Sequence, residues 1–243
     1  MPWMSRALPK GLTVLLAAAM LLLGVQSISS AAGSYKVTEG PYGIVRWNPC
    51  QTVTYKYNVS ALDKSLRKKA AKYTKKAFKQ LGSATGISFV NEGATQTLPD
   101  GANWWRVQSV EEEIVVAWVK KSGKYSSDLI SGGAYGVGGM VYKTWESDGG
   151  HSVAGRGYVL VDTKSYTKLT NGFKSGASQG NLLLHELGHT MGLEHVSSKK
   201  ELMYDTLTSK SPKGYASGDR AGLAMLGRDG GCIDVPDWVW VEG

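Results

Sequence analysis

The sequence predicts a mixed α/β fold, and the order of its periodic segments supports that prediction. Val53, Tyr55, Tyr57 and Val59 alternate with polar residues, as a half-buried strand does. A long amphipathic helix with one apolar face follows this strand. Four further apolar runs predict strands, at 87–90, 114–119, 134–142 and 157–162. Two more helices complete the pattern, which is typical of mixed α/β architecture.

The long helix is predicted to start at Ser60, its N-cap, and to end at Gly82 and Gly86. Its polar face carries a basic set: Lys64, Arg67, Lys68, Lys69, Lys72, Lys75, Lys76 and Lys79. The plainest interpretation is a solvated face, and the alternative is a surface for nucleic acid or membrane. No aromatic residues interleave on that face and no nucleic-acid motif is present, so we expect no nucleic-acid partner.

Composition narrows the class of protein. The chain has 243 residues, of which 42% are hydrophobic and 20% charged, and its net charge is +8. These values exclude a wholly disordered chain, a collagen and a polytopic membrane protein. The glycine-rich stretch 132–139 lacks the Lys-Ser/Thr ending of a phosphate loop, so we interpret it as a bulged edge strand.

Residues 1–32 are predicted to be a secretory signal peptide. Arg6 and Lys10 precede the uncharged apolar run 11–25, and small residues follow at 27–33. This run is shorter than the roughly 20 residues that span a bilayer, although an uncleaved anchor is the alternative. Cleavage near Ala32 would leave 33–243 as one domain, secreted and without stable membrane insertion.

Export changes the expected state of the two cysteines. Outside the cytosol a lone pair usually forms a disulfide, so we expect Cys50 to be bonded to Cys232. The alternative is a free Cys50 whose thiolate caps a metal and keeps an enzyme latent. Two cysteines are in any case too few for a cysteine zinc cage.

The segment LLLHELGHTMGLEHV, residues 182–196, contains the candidate chemistry. His185 and His189 are four residues apart and project from one face of a helix, so both can reach one Zn²⁺. Glu186 lies beside the metal as a candidate general base for zinc-bound water. Gly192 can end the helix with a positive φ, which would let His195 return as the third ligand. Three histidines leave one coordination position open, as in catalytic zinc sites.

This motif resembles the metzincin metalloprotease signature, whose second mark is a Met-containing turn under the zinc. Met203-Tyr204, eight and nine residues after His195, and the closing segment 217–227 are most similar to the matrixin branch. We expect Ser217 to cap that closing helix, with Asp219 in its first turn. The resemblance implies a twisted, mostly parallel five-stranded sheet with an antiparallel edge strand, an active-site helix and a C-terminal helix. It also implies that Met203 forms an apolar floor under the imidazoles and that Tyr204 lines a substrate pocket.

The chain departs from the matrixin pattern at several points. Val196 stands where matrixins usually have Ser, and Asp205 where they usually have Pro. The cysteine-switch prosegment is absent. Only Asp148 and His151 are available for a structural zinc site, and we interpret His151 as a loop or strand-edge residue. Asp148 and Asp162 are candidate Ca²⁺ ligands, although no EF-hand pattern supports them.

We therefore expect a secreted, monomeric zinc endopeptidase that acts on protein or peptide substrates. Two alternatives remain open. One is a zinc hydrolase of a non-peptide amide, which would use the same attacking water. The other is a zinc-containing module that binds an anionic cell-surface polymer through the lysine helix. The intact Glu186 argues against the second alternative, because binding alone needs no general base.

Overall fold

The computed structural model describes residues 34–104, 113–145 and 150–234. The predicted signal peptide lies outside them, as does Asp148. The strands are β1 Lys36–Val37, β2 Glu39–Gly40, β3 Gly43–Ile44, β4 Val53–Asn58, β5 Phe89–Ala94, β6 Ile114–Val119, β7 Gly136–Trp145, β8 His151–Asp162 and β9 Leu193–Glu194. The helices are α1 Lys64–Thr85, α2 Thr163–Lys168, α3 Gln179–Met191 and α4 Ser217–Leu226, followed by a 3₁₀ turn at Arg228–Gly230.

A five-stranded sheet in the order β5-β4-β6-β8-β7 is the centre of the fold. Four strands are parallel, and β7 pairs antiparallel with β8 at the edge. Every residue of β6 is buried, as expected for a parallel strand covered on both faces. This topology confirms the mixed α/β fold with an antiparallel edge strand. The glycine-rich stretch runs into β7, whose register shifts at Val141–Tyr142.

Several boundaries differ from the sequence prediction. The strand predicted at 134–142 is β7, which covers Gly136–Trp145. β5 begins at Phe89 rather than Ile87, because Gly86 is left-handed (φ 70°) and two further residues complete the turn out of α1. β8 begins at His151 rather than Gly157, because β7 pairs with it over its full length. Ser60 is not the N-cap of α1, which begins four residues later at Lys64. The amide of Ser60 instead donates to Asn58 and its carbonyl accepts from Arg67, so the chain turns before the helix starts.

The core has two layers, one on each face of the sheet. The larger layer packs the sheet against α1 and α3 and includes Phe78, Trp118 and Leu183. The smaller layer covers the other face of β6 and β8 and includes Trp104, which packs edge-on against Tyr158. Trp104 is fully buried, so it is a packing residue and does not line a cleft.

A disulfide joins Cys50 to Cys232 across 182 residues of sequence, with the two Cα atoms 5.4 Å apart. It connects the segment before β4 to the segment after α4. Cys50 therefore has no free thiol with which to cap a metal. Within the described ranges, none of the helices combines the length and apolar character needed to cross a membrane.

Candidate metal centre

Helix α3 places the first two histidines inside the protein. Ser178 caps its N-terminus by accepting a hydrogen bond from the amide of Asn181. The helix is buried along almost its whole length. Packing around it therefore fixes its rotation, and with it the face that carries the histidines. His185 and His189 are one turn apart on that face. Gly192 has φ 105° and ends the helix, and the chain then reverses into β9.

The reversal at Gly192 brings His195 back to the other two imidazoles. Nε2 of His195 lies 3.2 Å from Nε2 of His185 and 3.0 Å from Nε2 of His189. The three rings are the one group of metal-ligating side chains that converges within the described residues. His185 is buried, His189 is half-buried and His195 is exposed, so the centre opens to solvent on the His195 side.

Two backbone carbonyls fix the proton positions on the buried rings. Nδ1 of His185 donates to the carbonyl of Leu202 at 2.8 Å, and Nδ1 of His189 donates to that of Leu193 at 2.7 Å. A carbonyl can only accept, so in each neutral ring the proton is on Nδ1 and Nε2 carries a lone pair. His195 can carry at most one proton on its Nε2 atom. That proton can bond to only one of the two unprotonated Nε2 atoms of His185 and His189, so the other is left without a donor. The donor set therefore fits a cation with nitrogen ligands such as Zn²⁺.

Burial keeps the two rings neutral and ready to bind metal. It lowers the pKa of His185 to about 3, with a further contribution from His189, against the opposing effect of the Leu202 carbonyl. Burial also lowers the pKa of His189. Both imidazoles consequently present unprotonated Nε2 atoms at neutral pH, which a metal requires.

Glu186 lies under the first residues of the edge strand. Its side chain is buried, and burial raises its pKa to about 8 although the Gly138 amide donates a hydrogen bond to it. The strand approaches so closely that only glycine fits there. A methyl group on Gly136 would lie 2.7 Å from Oε1 of Glu186, and one on Gly138 would lie 1.9 Å from the Glu186 carbonyl oxygen. The glycines of β7 thus let the strand cover the carboxylate directly.

The Met-containing turn lies against α3 beneath the histidines. Met203 is 1% exposed, and a methyl group on Gly188 would lie 2.5 Å from its sulfur. The Met203 side chain therefore packs on the helix backbone immediately before His189. Tyr204 is half-buried, with the ammonium of Lys199 5.5 Å from its ring centre.

Two buried carboxylates that the sequence reasoning did not assign to the site hold this turn in place. Asp219 accepts from the amides of Leu202, Met203 and Ala216, at 2.7–3.1 Å. Glu201 in turn accepts from the amides of Gly218 and Asp219. Burial raises the pKa of Asp219, and its three backbone hydrogen bonds oppose that shift.

The cap of α4 also differs from the expectation. Ser217 is the first residue of α4, and Ala216 occupies the N-cap position. Glu201 takes the place of the missing cap side chain by accepting the amides of Gly218 and Asp219, and Asp219 accepts the Ala216 amide. The signal for this role was an acidic residue in the first turn of the helix, but the sequence did not show that it also reaches back to the Met-containing turn.

The other candidate ligands lie apart from the centre. His151 is the first residue of β8, opposite Trp145, in agreement with a strand-edge role. Asp162 accepts the Ser165 amide at 2.7 Å and so caps α2, and no second ligand cluster accompanies it within 34–104, 113–145 and 150–234. The described residues therefore give no support for calcium.

Zinc-dependent metallopeptidases are the class to which this fold and this donor set correspond. A comparison with models of protein families narrows the class, because the matrixin model matches residues 46–226. The chain belongs to the matrixin family, as the spacing of its histidines and the Met-containing turn predicted. A comparison with curated proteins gives no match.

Proposed function

We propose that the protein is a secreted zinc endopeptidase, with His185, His189 and His195 as the zinc ligands and Glu186 as the general base. The observation that supports this best is the convergence of three Nε2 atoms, two of which carry no proton. The residue after His185 in the chain is Glu186, whose carboxylate is buried. Family membership supplies the coarser part of the proposal, a zinc-dependent metallopeptidase.

Bound zinc would supply a Lewis acid that acidifies water and polarises the carbonyl of the scissile bond. The protein residues do the rest. The carbonyls of Leu202 and Leu193 hold the rings of His185 and His189 in the metal-binding tautomer. Burial alone raises the pKa of Glu186 to about 8, and a cation bound by the adjacent histidines would lower it and so favour the ionised carboxylate. In that form Glu186 takes the proton of the attacking water and passes it to the leaving nitrogen.

The position of β7 suggests how a peptide reaches the site. β7 is the last strand of the described sheet, and its first residues lie directly over Glu186. An extended peptide can add to such an edge through backbone hydrogen bonds, which places a peptide bond beside the carboxylate. This favours peptide substrates over a small non-peptide amide, which has no extended backbone to pair.

Secretion is the second part of the proposal. The segment 1–32 would direct export and be removed, and 33–243 would act as a monomeric catalytic domain. The Cys50–Cys232 disulfide supports this, because such bonds persist in oxidising compartments.

Two variants test the catalytic assignment. Glu186→Ala should keep zinc, because the three imidazoles are untouched, but should lower turnover by at least about 10²–10⁴-fold. His189→Ala should lose zinc and activity together, because two ligands hold the metal poorly. Glu39→Ala, an exposed acidic residue on β2, is the control. Zinc content and cleavage of a denatured protein are measured for each purified mature variant.

The outcomes separate the alternatives. Near-normal hydrolysis by Glu186→Ala would refute the general-base role and favour the binding-module alternative. Cleavage of simple amides without cleavage of any peptide in a complex peptide mixture would favour the non-peptide hydrolase.

A further inference from the structure

A cavity of about 550 Å³ lies where β6 and β8 end and β7 begins. None of the three histidines and neither Glu186 nor Met203 lines it. Four exposed lysines do: Lys120, Lys121, Lys164 and Lys168. Asp162 also lines the cavity, but its carboxylate already accepts the Ser165 amide as the cap of α2. Its walls therefore carry an excess of positive charge.

Within residues 34–104, 113–145 and 150–234, none of these cavity lysines forms an ion pair. The ion pair found among the described residues joins Lys56 to Glu92, on a different part of the sheet. Four like charges around one concave surface repel each other, and the protein gains nothing from that arrangement by itself. A cavity lined in this way attracts and concentrates anions.

Helix α1 carries a second concentration of positive charge. It contains seven lysines and Arg67 but no acidic residue. The mature chain 33–243 would contain 26 basic and 20 acidic residues, so these eight charges exceed its whole net charge of +6. Most of these lysines are exposed, and the stripe from Lys64 to Lys79 runs about 22 Å along the helix axis.

The segment after α2 joins the cavity to this helix. Lys164 and Lys168 are one turn apart on α2, and Asn171 follows three residues later. The side-chain oxygen of Asn171 accepts a hydrogen bond from the ammonium of Lys69 at 2.8 Å. The segment 168–171 thus leads from the cavity lysines to the basic face of α1. We call these two sets together, the four cavity lysines and the eight basic residues of α1, the cationic track.

We propose that the cationic track binds a linear anionic polysaccharide. A polymer is favoured over a single small anion because the charges extend from the cavity along the length of α1. Ser131, Ser165 and Tyr135 line the cavity with hydroxyl groups, which can pair with sugar hydroxyls.

The same surface suits other polyanions less well. Binding to a membrane surface usually inserts apolar side chains, and none of the large exposed apolar residues of the described chain lies on α1. Single-stranded nucleic acid needs aromatic platforms for stacking, and Tyr135 is the one exposed aromatic residue that lines the cavity. A polysaccharide needs neither. Binding on the track would hold the enzyme on an anionic matrix while leaving the three imidazoles uncovered.

Affinity for immobilised heparin and for polygalacturonate tests the proposal, with the full mature chain in both cases. The first represents sulfated polymers and the second carboxylated ones. One variant changes Lys120, Lys164 and Lys168 to Gln, and another changes Lys68, Lys72 and Lys75 to Gln. The control changes Lys200, Lys210 and Lys213 to Gln, which removes the same charge from exposed positions outside the track. Thermal midpoints verify that all three variants fold.

We expect each track variant to bind at least one of the two polymers about tenfold more weakly than the control variant. We also expect the slope of log Kd against log salt concentration to become shallower by about 2–3. Each variant removes three cations, and each lost contact with an anionic group lowers the slope by roughly one, as for contacts with phosphates. If the control variant loses as much affinity as the track variants, the effect depends only on net charge, and the proposal is overturned. Loss in one track variant alone would overturn the continuity of the track. Equal or tighter binding to duplex DNA or to anionic vesicles would overturn the polysaccharide assignment, and so would no binding to either polymer at 50 mM salt.

Discussion

Gly136→Ala should disable catalysis while leaving the metal in place. The new methyl group would lie 2.7 Å from Oε1 and 2.9 Å from Cδ of Glu186, atoms at the free end of a side chain. An ordinary contact between such atoms is about 3.5 Å, so the carboxylate must move by roughly 0.7 Å or more. The helix backbone and the three imidazoles make no part of this contact.

The structure sets the size of the expected effect. A displacement of about 1 Å at a reacting group costs on the order of 10²-fold in rate, and complete loss of a positioned general base costs about 10²–10⁴-fold. We therefore expect kcat for Gly136→Ala to fall by about 10²-fold at full zinc content. The change should appear in kcat more than in KM, because the proton transfer is affected.

A double-mutant cycle with Glu186→Ala tests this reasoning on a fluorogenic peptide. If the methyl group acts only by displacing Glu186, the double variant should be no slower than Glu186→Ala alone. Wild-type turnover by Gly136→Ala, or rate losses that multiply in the double variant, would refute the explanation. Gly138→Ala provides a contrast. Its methyl group would lie 1.9 Å from a backbone oxygen, which cannot rotate away, so it should lower the free energy of unfolding by about 3 kcal/mol.

Two further predictions concern the parts of the fold that support the site. Asp219→Ala leaves three amides without an acceptor, two of them buried, and should lower the free energy of unfolding by about 3 kcal/mol in urea titrations. The exposed control Asp229→Ala should change it by less than about 0.5 kcal/mol. Cys50→Ser opens a 182-residue loop and should lower it by up to about 5 kcal/mol without raising activity. Higher activity in fresh secretions of that variant would restore the latency hypothesis.

The parts of the fold that the sequence predicted depend on short-range patterns. The four-residue spacing of His185 and His189 and the left-handed Gly192 are set within one helix and its end. The fully apolar run of β6 is set by burial on both faces, and its bounds agree with the prediction residue for residue. Each of these features is decided by residues within a few positions of one another.

The features that the sequence did not predict depend on contacts between distant segments. The start of α1 moved from Ser60 to Lys64 because Asn58 and Arg67 satisfy the backbone of Ser60. The buried role of Asp219 depends on amides 16 and 17 residues earlier in the chain. The fit of the β7 glycines against Glu186 joins residues about 50 positions apart. No local periodicity reports such contacts.

The same distant contacts determine how well the ligands can hold a metal. The proton on His185 is directed by the carbonyl of Leu202, and the amide of Leu202 is in turn fixed by the carboxylate of Asp219. A chain of two hydrogen bonds thus connects the first turn of α4 to His185, the first candidate ligand. Partners of this kind change metal affinity by about 10–100-fold when they are lost. The three histidines identify the candidate centre, and we expect loss of the Asp219 contacts to weaken its affinity for zinc although Asp219 touches none of the three rings.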